Sequence, residues 1–132
     1  MFKKIITFSF LFFLLSSNLN AAVTVLGSSD AYICYKHAKY GSTTQSSVLT
    51  CLNAISDMTI SKKDIDASRI NLGIIYNNKS KPRMALEQFE IAFKNKNMRA
   101  EIFLNQGNSL LLLKDYKGAL EKYQASLENN LE

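Results

Sequence analysis

Gly73 and Gly107 stand 34 residues apart, and the residues around them shift by the same interval. Leu72-Gly73 followed by Tyr76 recurs as Gln106-Gly107 followed by Leu110, and Ala85 with Phe89 recurs as Ala119 with Tyr123. Glycine inside a helix costs about 1 kcal/mol relative to alanine, so two glycines in register imply a packing requirement. Two antiparallel helices that cross closely supply it. Gly73 and Gly107 are expected on the first helices, with Ala85 and Ala119 as their small partners on the second. Leu72, Tyr76 and Phe89 then fill the space beside one crossing, and Phe103, Leu110, Leu120 and Tyr123 beside the next. Ala85, Phe89 and Ala92 fall at i, i+4 and i+7, which is one face of a helix.

On these residues the chain resembles the tetratricopeptide repeat family, whose unit of about 34 residues reads W-x2-L-G-x2-Y, then A-x3-F, then P. Residues 66–99 and 100–132 are two such repeats by register. Pro82 would open the second helix of the former, where a missing N–H costs nothing. Its counterpart Tyr116 follows Asp115, a good N-cap, while Lys81 in the equivalent place is a poor one. The family's tryptophan position holds Arg69 and Phe103, and its closing proline is replaced by Asn97 and Leu131. About three hairpins are needed for a stable stack, so residues 23–65 are expected to form a degenerate first one. There, a helix over 31–40, a turn at 41–44 and a helix over 47–58 place Ser47, Cys51 and Ala54 at the spacing of Ala85, Phe89 and Ala92. The expected fold class is all-α: stacked antiparallel helix hairpins, a TPR-like α-solenoid.

The chain begins with Met1-Phe2-Lys3-Lys4, continues as an apolar run over 5–15, and then turns to small and polar residues ending in Ala21-Ala22. This is the layout of a secretory signal peptide, expected over 1–22. A membrane span needs about 20 apolar residues and this run is near half that, so no stable span is expected once the leader is cut. The cut falls after Ala21 or Ala22, and the product is periplasmic or secreted. The formal charge of +5 includes Lys3 and Lys4, leaving a mildly basic domain whose lysines are interleaved with acids. No basic stripe or arginine cluster marks a nucleic-acid partner.

Cys34 and Cys51 are the two cysteines, and export would place them where disulfides persist. With the turn near Gly41, each lies on one helix of a hairpin at a comparable distance from that turn, so a structural bridge is expected. A redox-active pair would lack the C-x-x-C spacing that lowers a thiol pKa, and a zinc site built from both thiols and His37 would lack a fourth ligand. No cofactor or metal is expected. No nucleophile elbow, zinc-protease helix or phosphate loop is present, and the single histidine, His37, reads as a surface or interhelical residue.

The resemblance implies recognition without chemistry. In the family, first helices of successive repeats line a groove that takes a segment of a partner protein. By register the lining is Ile70, Asn71, Ile74, Asn77 and Asn78, then Glu101, Leu104, Asn105, Asn108 and Leu111. The family's two-carboxylate clamp is not matched, since Tyr32, Lys36, Glu101 and Asn105 occupy its outer positions and Asn71 alone fits. A neutral peptide or helix is therefore the expected ligand, and the chain an adaptor of the bacterial envelope. Leu120, Tyr123 and Leu127 on the last helix are expected to leave an apolar end face that a partner or a second copy covers.

Overall fold

The computed structural model describes residues 19–130; the basic start and apolar run of the expected leader, with Leu131 and Glu132, lie outside the described residues. The regular structure of residues 19–130 is all-α. Helices α1 (Ser29–Lys39) and α2 (Gln45–Ser56) pack on each other, as do α3 (Lys62–Asn78) with α4 (Pro82–Ala92) and α5 (Arg99–Leu112) with α6 (Tyr116–Asn129). A single 3-10 turn, Lys96–Met98, leads into α5. Helix α3 is the centre of the molecule. It touches α1, α2, α4 and α5, and 11 of its 17 residues are buried.

Local chemistry starts and stops each helix. The hydroxyls of Ser28, Thr44 and Ser61 accept the N–H groups of Ala31, Ser47 and Asp64, and the Asp115 carboxylate accepts that of Gly118. Each satisfies a donor that helical bonding leaves free. Helix α4 has no such cap; Pro82 opens it instead, with one donor fewer to satisfy. Three helices end in the same closing turn. Ser42, Lys81 and Asp115 donate their N–H groups to the carbonyls of His37, Tyr76 and Leu110, five residues back in each case. Such a turn needs one left-handed residue just before the donor. Gly41, Ser80 and Lys114 supply it, with φ of 71°, 55° and 63°.

The core runs through all three helix pairs, but its large side chains come from α3 and its neighbours: Phe89, Ile70, Leu72, Ile74, Ile75 and Ile102 are fully buried. Gly73 differs from its expected pairing. The atoms nearest to where its Cβ would stand all belong to the Phe89 ring, at 2.4 Å for Cε1, and at Gly107 they belong to the Tyr123 ring, also at 2.4 Å. At each glycine the nearest neighbour is thus an aromatic ring and not an alanine. In α1 the buried residues are Ala31, Cys34 and Ala38, all small. There Cys34 is joined to Cys51 of α2 across a Cα separation of 4.8 Å. The bridge is fully buried and is compatible with an extracytoplasmic location.

Among the described residues no helix is long and apolar enough to cross a membrane.

Candidate peptide-binding site

The asparagines of α3 and α5 hold an extended segment of the chain itself. Residues 19–26 carry no regular secondary structure, and their main chain passes from α5 to α3 before entering α1. Asn108 donates its amide to the Leu19 carbonyl at 2.7 Å. Asn105 donates to the Ala21 carbonyl at 3.2 Å, and Asn71 to the Val23 carbonyl at 2.8 Å. The bonded carbonyls are those of alternate residues, because an extended chain turns every second carbonyl to the same side, about 6.6 Å apart.

Asn71 does more than its equivalent. Its Oδ1 also accepts the Val23 N–H at 2.9 Å, so one fully buried carboxamide reads both main-chain groups of one residue. Asn105, 34 residues on, is just as buried but uses only its donor side, toward Ala21 and the Glu101 carbonyl. Its Oδ1 has no hydrogen-bond partner. Buried polar atoms are nearly always paired, so this acceptor is a gap in the site.

The remaining lining residues divide. Ile70 and Ile74 are fully buried in the hydrophobic core. Asn77 is turned between the helices: its amide donates to the Asn105 carbonyl, and its Oδ1 accepts the Ser109 hydroxyl at 2.9 Å. Asn78, Asn108 and Leu111, with Asn20, Asn77 and Leu112, line a cleft of about 60 Å³. The Asn78 amide nitrogen there is unpartnered. Glu101 and Leu104 are half-buried on α5. Asn108 is held in place from behind by the Tyr123 hydroxyl, which donates to its Oδ1 at 2.9 Å. Burial pushes the Tyr123 phenol above its ordinary pKa, which keeps that donor protonated. Farther along the segment, a hydrogen bond from Thr24, helped by Lys39, holds the Tyr35 phenol of α1 below its usual range.

Val25 completes the anchorage. It is fully buried in the core, with Ala22 and Val23 packed partly against the same cluster. The segment is thus fixed from Ala22 onward by apolar packing and the Asn71 pair, and before Ala22 by hydrogen bonds to the Leu19 and Ala21 carbonyls and the Asn20 side chain. Replacing Asn71 with alanine should cost about 2 kcal/mol, since it strips both bonds from Val23 and leaves those groups facing an apolar surface. Hydrogen exchange in the segment should rise with it. An unchanged melting curve would mean that the Asn71 bonds do not hold the segment.

The end-face residues lie elsewhere. Leu120 and Leu127 of α6 are 58% and 67% exposed, while Tyr123 is tucked against Gly107. His37 is half-buried on α1. The sequence does not mark the occupant: no periodicity runs through residues 19–25, and they straddle the expected leader cut. The pair Asn71 and Asn105 was the available signal, because two carboxamides at repeat spacing on buried helices must find main-chain or side-chain partners. Comparison with family models, curated proteins and solved structures gives no match for this chain.

Proposed function

We propose that this chain is a non-enzymatic protein–protein interaction module of the bacterial envelope, a short TPR-like solenoid exported by its leader, that binds an extended segment of a partner along α5, in line with the segment of its own that stays on α3. The observation that carries this reading is the ladder of Asn71, Asn105 and Asn108 on alternate carbonyls of an extended chain. A carboxamide offers donors and an acceptor in one plane, which matches a peptide group and is indifferent to side-chain identity. The 34-residue recurrence supports the solenoid, and the Cys34–Cys51 bridge supports export.

A second reading has its own observation. Helix α6 buries Ala119 and exposes Leu120 and Leu127, so a self-associating scaffold would join copies through this face. One experiment separates the two. A photoreactive residue replaces Leu111, which is 48% exposed at the cleft, or Leu127, and is activated in intact cell envelopes. Capture of a foreign protein through one contiguous segment at Leu111, lost when Asn105 is changed to aspartate, is the expected result. Capture of the protein itself at Leu127, with nothing at Leu111, would replace the adaptor reading with the scaffold.

A further inference from the structure

The stretch that fills the asparagine ladder is also the stretch in which the leader is expected to be cut. A cut after Ala21 or after Ala22 removes residues 19–21 in either case. With them go the Leu19 carbonyl on Asn108 and the Ala21 carbonyl on Asn105. Val23 stays, because Asn71 holds both of its main-chain groups and Val25 is locked in the core. Processing therefore divides the occupant: the α3 half keeps its strand and the α5 half loses it.

We infer that removing the leader opens a half-site on α5 for the C-terminal end of an extended peptide, whose terminal carboxylate meets the new α-ammonium of Ala22 or Val23. This rests on the peptide-binding reading above. Four features select that ligand. The vacated groups are a donor on Asn108 and a donor on Asn105. They want main-chain carbonyls, in the alternation of an extended strand. Polarity comes from the occupant itself, which runs from Asn108 toward Asn71. A peptide restoring those bonds in the same direction ends where the processed chain begins, so a carboxylate faces an ammonium. The reverse direction would bring two ammonium groups together. Size follows from Ala21, a half-buried small residue at the end of the vacated stretch, so a small side chain fits there. Two opposite unit charges about 4 Å apart favour the free acid over a neutral amide by at least about fivefold, and by more where the pair is partly desolvated.

The test uses the exported, processed chain, with its first residue established by intact mass. It is titrated with a fluorescent peptide that ends at the residue before that first one, Ser-Ser-Asn-Leu-Asn-Ala-Ala (residues 16–22) for a chain starting at Val23 or the same peptide without its last alanine for a chain starting at Ala22, as the free acid and as the C-terminal amide. The acid should bind at least about fivefold more tightly, with the gap narrowing in high salt. N108D keeps the acceptor for the Tyr123 hydroxyl but turns the amide donor into a repelling oxygen, and should weaken acid binding about tenfold. Equal affinity for acid and amide overturns the inference, as does failure of both to bind. A mass showing residues 19–21 retained overturns it too. Because capture at Leu111 in envelopes does not depend on the ligand's end group, that experiment can succeed while this one fails, and the two readings fall separately.

Discussion

The Cys34→Ala, Cys51→Ala double variant should melt roughly 15 °C below the parent and lose its first hairpin before the rest. The bridge closes a loop with a sequence separation of 17, and a crosslink of that size removes about 3 kcal/mol of entropy from the unfolded chain. For a domain of about 100 residues each kcal/mol moves Tm by about 4–8 °C. The loss should fall unevenly, because α1 has little else to hold it. Its buried residues are Ala31, Cys34 and Ala38, whereas α3 buries isoleucines, a leucine and a tyrosine along its length. Hydrogen exchange should therefore show α1 and α2 unprotected at temperatures where α3 to α6 still resist. A double variant within about 3 °C of the parent would mean that the contacts of α1 and α2 with α3 suffice without the bridge.

The all-α class and the cysteine pairing could be read from the chain because they rest on local signals. Periodic apolar residues, hydroxyl and carboxylate caps, and two cysteines equidistant from a glycine turn are properties of neighbouring residues. Relations between elements were harder. Ala85 and Phe89 lie on one face of α4, one turn apart, and spacing alone does not decide which of them stands over Gly73. That depends on how far α4 slides along α3, and the Phe89 ring takes the place a Cβ at 73 would need. Ile70 and Ile74 share the problem: an apolar residue on a first helix serves a core or a groove depending on what lies above it. Here they belong to the core, in a molecule whose own extended segment runs over the same helix.

The asparagines show the same limit from the polar side. Asn71, Asn77, Asn105 and Asn108 look alike in sequence, yet Asn77 ties α3 to α5 through Ser109 while the other three reach the segment. What separates them is helical phase. Asn71 and Asn105 occupy the same phase one repeat apart, and Asn77 is rotated from Asn71 by six residues, about 240° away around the helix. A carboxamide that holds an extended main chain and one that ties two helices can thus alternate on a single helix without any difference in chemistry.

Replacing Phe89 with alanine should cost about 3–5 kcal/mol, the range for removing a fully buried phenylalanine. The sharper expectation concerns Gly73 in that background. In the parent, an alanine at 73 would put its Cβ 2.4 Å from Phe89 Cε1. Helix propensity returns about 1 kcal/mol, and overpacking against a ring that cannot retreat costs about 1–3, so G73A alone should be net destabilising by about 1 kcal/mol. The ring cannot retreat because Phe89 is itself enclosed, and α3 cannot shift because most of its residues are buried. With Phe89 already alanine the clash disappears and the propensity gain remains. G73A should then stabilise by about 1 kcal/mol, giving a coupling near 2 kcal/mol in a double-mutant cycle read by denaturant unfolding. The change of sign is the decisive readout, since a glycine kept for backbone reasons would respond the same way in both backgrounds. Additivity within about 0.5 kcal/mol would show that the ring is not what Gly73 accommodates. At the Gly107–Tyr123 pair the coupling should be weaker, because Tyr123 is half-buried on the more exposed α6 and can shift, and removing the phenol carries an added cost because its hydroxyl also steadies Asn108 at the ladder.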